Sequence, residues 1–304
     1  MNRSRPTFLI IGAYKAGTTS LHHYLSQHPQ IFMSRIKEIR FLTYAGHLQR
    51  PLTPLENSAL TWPIRSLANY EALFTAGIDV LERGDISPCY LAFPHQSILG
   101  IQECTPEAKI IAVLRHPVDR AYSSYVGLVR SGREEVLDFR RALTYEQENR
   151  PRKGDHGQRR NFMESLYSDA LALYYAQFPR DQIRVFLYDD LCADATGLLK
   201  QIFAFIGVDE GFAPDTSTRH NTSAWPRQRL LRDLWLPGER LIYRIARKAS
   251  RITHRDCVQP VDRLLRVPAP PLDQELRHEL LIRYREDILR TQALIDRDLS
   301  HWLT

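Results

Sequence analysis

The sequence has 304 residues, of which 43% are hydrophobic and 25% are charged, enough for one large domain with insertions. No apolar run approaches the roughly 20 residues that span a bilayer, and the start of the chain is unlike a signal peptide, so we expect a soluble, cytoplasmic protein. The net charge of +6 favours an anionic ligand, a property shared by nucleotides, nucleic acids, acidic glycans and membrane surfaces.

Short β-rich runs alternate with helical patterns, which is typical of a parallel sheet covered by helices. Apolar runs without polar alternation predict strands at 8–11, 79–81, 110–114 and 183–187. Apolar residues spaced by three and four predict helices at 19–27, 117–130, 165–177 and 195–206. We therefore expect an α/β fold with a doubly wound parallel sheet and a ligand outside the carboxyl ends of its strands.

Two stretches interrupt this alternation. Residues 147–160 are polar, basic and contain glycine and proline, which predicts a mobile loop. Residues 224–271 read as a variable helical insertion. Within it, 240–255 form a basic amphipathic pattern that fits either a cover helix with a solvated face or a peripheral contact with an anionic membrane.

The four cysteines are scattered, without a CxxC pair or histidines at zinc-finger spacing. They indicate reduced, mostly buried side chains, and we expect no metal site. The four are Cys89, Cys104, Cys192 and Cys257.

The most informative stretch runs from Phe8 to Leu25, where an apolar strand leads through a glycine-bearing turn into an amphipathic helix. Such a turn gathers backbone N–H groups and the positive end of the helix dipole, an arrangement that binds phosphate. Lys15 adds a positive charge, and Thr18 and Thr19 add hydroxyl donors. An ordinary strand-to-helix connection with a solvent-facing lysine is the alternative.

A P-loop kinase is the main competing interpretation of this turn. Gly12 and Gly17 have the spacing of GxxxxGK[ST], but Thr18 occupies the lysine position. The lysine lies upstream, at Lys15, where it would address the first phosphate of a nucleotide and the group attached to it.

The string GAYKAGTTSL at 12–21 resembles the 5'-phosphosulfate loop of the sulfotransferases that use 3'-phosphoadenosine 5'-phosphosulfate (PAPS), in the branch with heparan sulfate sulfotransferases and many bacterial enzymes. The resemblance implies a P-loop-like sheet, PAPS as sulfate-donating cosubstrate and no metal. It also implies that Lys15 stabilises the departing phosphate. The residues that would cradle this phosphate are Lys15, Ala16, Gly17, Thr18, Thr19 and Ser20.

A second phosphate element follows the strand at 110–114. Arg115 stands at the strand's carboxyl end, and Ser123 lies about two turns along the next helix, where Pro117 fits the first turn. An arginine fork with a hydroxyl can clamp a phosphate monoester. RHPVDRAYSSY resembles the family element that grips the 3'-phosphate, although Arg115 in a structural salt bridge is the alternative.

The candidate catalytic base is Glu38. Its string, KEIRFL, resembles the family's KE element, whose glutamate removes the acceptor's proton, although Arg40 and Leu42 depart from that pattern. A salt bridge from Glu38 to Lys37 or Arg40 is the alternative. Asp85, in a string that resembles the family's GExSPxY element, is a second candidate carboxylate, and a turn cap is its competing role.

Weaker resemblances lie further along the chain. Tyr167 matches a helical tyrosine beside the nucleotide, and 219–223 match a segment that closes over the adenosine and 3'-phosphate. Residues 284–303 resemble the closing helix and tail of bacterial members.

The sequence therefore predicts one sulfotransferase domain over 1–304 that moves a sulfuryl group from PAPS to a hydroxyl or amine of a glycan, lipid or small-molecule acceptor. Lys15 and Glu38 would be catalytic, and Arg115, Ser123 and Tyr167 would join the loop in binding the nucleotide. We expect no nucleic-acid partner, and the acceptor and oligomeric state stay open. The alternatives are a P-loop kinase and a non-catalytic module that binds nucleotides or polyanions.

Overall fold

A computed structural model describes residues 4–50, 64–131, 133–148, 161–217, 224–226 and 266–304 of the chain. Its strands are β1 (Phe8–Gly12), β2 (Ile31–Met33), β3 (Glu82–Ile86), β4 (Lys109–Leu114), β5 (Ile183–Leu187), β6 (Ala224–Pro226) and β7 (Arg266–Pro268). The first helices are α1 (Thr18–Leu25), α2 (Phe41–Gln49), α3 (Leu67–Ala72), α4 (Cys89–Ala92), α5 (Pro94–Cys104) and α6 (Pro117–Arg130). The remaining ones are α7 (Phe139–Gln147), α8 (Ser168–Gln177), α9 (Tyr188–Ala193), α10 (Ala195–Ile206) and α11 (Gln274–Ile295).

Five strands form one parallel sheet in the order β2-β3-β1-β4-β5. The predicted α/β fold with a flanked, P-loop-like parallel sheet is confirmed. All five residues of β1 are buried, as are the last five of β4, so apolar strands without polar alternation do lie between two helical layers. Because β1 connects toward β2 and β3 on one side while β4 and β5 lie on the other, the carboxyl ends of β1 and β4 flank the switch point of the sheet.

Strand β3 is displaced from its predicted position. The sequence indicated 79–81, whereas the strand is Glu82–Ile86. Its sequence, ERGDI, is mostly polar, so the pattern of residues does not indicate that four of the five are buried. Gly84 is required there, because a Cβ would lie 2.4 Å from the Phe8 ring and 2.6 Å from the Met33 sulfur. The buried Arg83 side chain donates from Nε to the Arg5 carbonyl and from Nη1 to the Val80 carbonyl, both at 3.0 Å, so these two donors are satisfied inside the protein.

Strand β2 was not predicted, because its three residues are too few to show a pattern. Helices α6 and α10 have their predicted bounds, and α1 and α8 differ by one to three residues at their ends. None of the described helices is both long and apolar enough to cross a membrane.

Helix α11 closes the domain against α8. The buried Asp287 carboxylate accepts from the backbone N–H of Tyr167 at 2.9 Å and of Ser168 at 3.0 Å, and from the Ser168 hydroxyl at 2.6 Å. After α11, the Trp302 indole N–H donates to Asp189 at 2.8 Å, and Arg297 pairs with Asp190 at 2.7 Å. The end of the chain therefore braces the starts of α8 and α9.

Several predicted features lie wholly or largely outside the described residues. These are the loop at 147–160 beyond its first two residues, the basic helix at 240–255, the segment at 219–223, and Cys257. Of the insertion at 224–271, the structure describes β6 and β7, which pair antiparallel, and the residues after β7. Within the described parts, Cys89, Cys104 and Cys192 are free thiols.

Candidate functional site

A cavity of about 660 Å³ opens at the carboxyl ends of β1 and β4. We call it the donor cavity. Six basic side chains and two acidic ones line it, which gives a formal charge of +4 and suits a polyanionic ligand. The basic residues are Lys15, Lys37, Arg40, Arg115, Arg130 and Arg133, and the acidic ones are Glu38 and Glu164.

The loop between β1 and α1 forms one end of this cavity. Gly17 caps α1 with a φ of 84°, and a Cβ at that position would lie 2.6 Å from a Leu191 methyl carbon. Glycine is therefore needed both for the left-handed backbone and for the close approach of α9. No side chain caps α1 and no acidic residue lies in its first turn, so the positive end of the helix faces the cavity.

The loop residues predicted to bind phosphate divide into two groups. Gly17, Thr18, Thr19 and Ser20 line the donor cavity together with Lys15. Ala16 is fully buried, and its backbone N–H donates to the Ala13 carbonyl at 3.3 Å. Ala16 therefore shapes the turn and is not a lining residue.

Lys15 also has a left-handed backbone, with a φ of 69°. Its Nζ lies against α6, where a methyl group added at Gly127 would be 3.4 Å away. Burial, reinforced by the positive charges of Arg130, Arg115 and Arg120, lowers the pKa of Lys15 to about 8. This ammonium is thus surrounded by cations and would gain strongly from an anionic ligand.

Arg115 and Ser123 meet at the same cavity, as predicted. Arg115 donates from Nη1 to the Lys15 carbonyl at 3.0 Å, and its guanidinium lies 4.8 Å from the centre of the Tyr188 ring. Ser123 is on the buried face of α6 and lines the cavity wall. Within the described ranges, Arg115 has no ion pair with a carboxylate, and phosphate binding by Arg115 stays a prediction.

Glu38 lines the donor cavity and is held by β3 and the residue after it. Its backbone has a φ of 57°, and its N–H donates to the Ile86 carbonyl at 2.9 Å. Arg40, also left-handed, donates its N–H to the Ser87 hydroxyl at 3.2 Å and pairs with the Glu38 carboxylate at 2.6 Å. The predicted ion pair and the predicted place in the cavity are therefore both present.

Asp85, the second candidate carboxylate, lies apart from the donor cavity. It is fully buried and does not line the donor cavity. Its carboxylate accepts from the hydroxyls of Tyr70 at 3.0 Å, Ser87 at 2.8 Å and Tyr90 at 2.6 Å. Burial raises its pKa, against the effect of these hydrogen bonds. Asp85 thus orients Ser87, which in turn holds the segment that carries Glu38.

Tyr167 is placed away from the donor cavity. Its side chain is 1% exposed, and its hydroxyl donates to the Arg115 carbonyl at 2.8 Å. Because the Tyr167 hydroxyl is already used in this hydrogen bond, Tyr167 supports the carboxyl end of β4.

Sequence reasoning missed three basic residues of the cavity. The Lys37 ammonium donates to the Thr19 hydroxyl, and burial lowers the pKa of Lys37 even though Glu38 acts in the opposite direction. Arg130 lies seven residues after Ser123 on α6, and Arg133 follows that helix. Helical spacing from Ser123 was a usable signal for Arg130, since residues seven apart share a helix face.

Comparison with known proteins shows the family. Residues 5–224 match the sulfotransferase domain family, and the chain belongs to it. A sulfotransferase structure from Alicyclobacillus acidocaldarius is 31% identical, with a TM-score of 0.70 and 99% of each chain covered. The family predicted from the two phosphate motifs is thereby confirmed.

Two curated relatives match in part. The bifunctional heparan sulfate N-deacetylase/N-sulfotransferase 2 of Bos taurus is 26% identical over 215 residues, 67% of this chain and 22% of that protein. The membrane-associated sulfotransferase kil1 of Dictyostelium discoideum is 31% identical over 129 residues, 40% of this chain and 22% of that protein. The chain spans about a fifth of the length of these relatives.

Proposed function

We propose that this protein transfers the sulfuryl group of PAPS to a hydroxyl or amine of an acceptor by in-line displacement. The observation that carries the proposal is that one electropositive cavity is lined by the Lys15 loop, the Arg115 and Ser123 pair, and the Glu38 carboxylate together. PAPS carries two phosphate groups and a sulfate, and a site with a charge of +4 complements that charge pattern.

The proposal divides the nucleotide between the two strand ends. The uncapped start of α1, with Lys15 and Lys37, would hold the 5'-phosphosulfate, because N–H groups and ammonium groups converge there. Arg115 and Ser123, with Arg130 on the same helix, would hold the 3'-phosphate. The wall formed by Leu191, Ala193 and Ala195 offers apolar surface for the adenine.

In the proposed reaction the acceptor oxygen or nitrogen forms a bond to sulfur while the bond from sulfur to the bridging oxygen breaks. Glu38 takes the acceptor's proton, and 3',5'-diphosphoadenosine (PAP) leaves with the electron pair. Protonated Lys15 stabilises the charge that develops on the leaving phosphate. Arg40 keeps the Glu38 carboxylate oriented until the proton arrives, since a charge-assisted hydrogen bond fixes both groups.

The decisive experiment is incubation with PAPS labelled in its sulfate, together with panels of alcohols, amines and glycans, with and without EDTA. We expect a labelled product, and we expect its yield to be unchanged by EDTA, because Thr18 replaces the P-loop lysine and the proposed mechanism uses no metal. A magnesium-reversible loss of activity would point to the kinase alternative. PAP binding without labelled product from any acceptor would point to the non-catalytic alternative.

A further inference from the structure

A second cavity of about 440 Å³ lies beside the donor cavity. The two cavities share three wall residues, Tyr14, Phe93 and Glu164, so they are adjacent and these side chains stand at their boundary. Tyr14 is the residue before Lys15 in the phosphate loop. The second cavity therefore opens next to the point where the proposed sulfuryl transfer takes place.

Apolar residues are the larger part of the second cavity's lining, and its uncharged polar residues are Tyr14, His95, Gln96 and Tyr167. Phe93 and Leu91 form buried wall surface, while Met163 is 49% exposed. The other apolar residues that line it are Ala13, Pro88, Ala92, Pro94, Leu166, Ala170 and Leu173. A cavity of this size and lining is typical of a site for a small organic molecule.

The charges of the two cavities differ. Among the described residues, the second cavity has one arginine, Arg50, and two carboxylates, Glu164 and Asp169. Both carboxylates already have partners, since Glu164 lies 3.1 Å from Arg120 and Asp169 lies 3.1 Å from Arg290. A cavity with one exposed arginine and two compensated carboxylates does not complement a polyanion, and it offers no uncompensated negative charge to a cation.

We propose that this second cavity holds the body of an uncharged, largely apolar alcohol, whose hydroxyl reaches the donor cavity past Tyr14 and Phe93. The inference rests on the proposed PAPS-dependent transfer and specifies its acceptor. Among the described residues of the second cavity's wall, only Arg50 is basic, so the uronate and sulfate groups of an acidic glycan would lose hydration there for a single basic partner.

The first test is a series of linear primary alcohols from butanol to decanol, compared with de-N-sulfated heparin, with labelled PAPS as donor. Burial of each added methylene should lower the acceptor KM about three- to fourfold until the cavity is filled. The KM for PAPS should stay constant along the series.

Two variants of α8 provide a matched pair. Ala170 lines the second cavity and Ala172 is exposed on the same helix, so Ala170→Phe should raise the KM for octanol at least tenfold while Ala172→Phe leaves it unchanged. PAP affinity should be equal in both. Met163→Lys, at an exposed position, is a second test that spares the core; it should raise the KM for octanol, whereas Met163→Leu should not.

The outcomes separate the two proposals. Sulfation of de-N-sulfated heparin with no transfer to the alcohols would overturn the apolar acceptor and leave PAPS-dependent transfer standing. If PAP fails to bind at all, the proposed function fails, and the acceptor inference fails with it. If PAP binds but no alcohol is sulfated, octanol is titrated calorimetrically into the PAP complex. Binding of octanol would support the apolar acceptor cavity, and an absence of binding would reject the inference.

Discussion

The guanidinium of Arg115 donates to the carbonyl oxygen of Lys15 at 3.0 Å. These residues are 100 positions apart in the chain; Lys15 lies in the loop that follows β1, and Arg115 directly follows β4. The contact joins the two phosphate elements that the sequence shows separately. A change at Arg115 therefore acts on both ends of the proposed nucleotide site.

This contact makes Ser123 the cleaner test of the 3'-phosphate assignment. A hydrogen bond to a charged group contributes about 1.5 to 3 kcal/mol, so Ser123→Ala should weaken PAPS binding about 10- to 150-fold. Binding of adenosine 5'-phosphosulfate, which has no 3'-phosphate, should not change. Arg115→Ala should weaken both nucleotides, because it also releases the Lys15 carbonyl. Calorimetry on the three proteins measures this, and equal losses for the two nucleotides in Ser123→Ala would reject the assignment.

Nucleotide affinity should depend on pH through Lys15, whose pKa is lowered to about 8 in the free protein. Above that pH the free lysine is neutral, whereas an anionic ligand favours the ammonium. PAP binding should therefore weaken as the pH rises through 8, and it should take up a proton there, which calorimetry in buffers of different ionisation enthalpy detects. In Lys15→Met the proton uptake should be smaller and turnover should fall by orders of magnitude. Unchanged proton uptake in that variant would assign the titration to another group.

Glu38→Gln should abolish transfer and leave PAP affinity near that of the wild type, since the amide keeps the shape and loses the basicity. Labelled-PAPS turnover and PAP titration are the two measurements. Asp85→Ala is the contrasting variant: three hydroxyls would lose their buried acceptor, at about 1 to 3 kcal/mol each, so thermal stability should drop clearly. Wild-type turnover in Glu38→Gln would remove this residue from the mechanism.

Lys37 should contribute to donor binding, because its ammonium lies in the cavity against the Thr19 hydroxyl. Lys37→Met should weaken PAPS about tenfold or more, as expected for the loss of a charged hydrogen bond. Lys200, exposed on α10, is a matched control, and Lys200→Met should leave the affinity unchanged. Similar affinities in the two variants would make Lys37 a structural partner of Thr19 only.

The sequence predicted those parts of the site in which the pattern of neighbouring residues determines where a side chain lies. Lys15 and Arg115 follow long apolar strands, and parallel strands end at one edge of a sheet, so their meeting was foreseeable. Lys37 and Arg130 were missed because their roles depend on how separate segments pack. The surroundings of Asp85 could not be predicted from the sequence, because only tertiary packing brings Tyr70 and Tyr90 to its carboxylate.

The hydrogen bonds of Asp287 have a consequence for biosynthesis. A chain leaves the ribosome from its N-terminus, so the strands and both phosphate elements emerge well before α11. The Tyr167 hydroxyl donates to the Arg115 carbonyl at the end of β4. The backbone N–H of Tyr167 can donate to the Asp287 carboxylate only once α11 has been made and has docked. The contacts behind the donor cavity thus form only after residue 287 has been synthesised, and a nascent chain stalled before that residue lacks them.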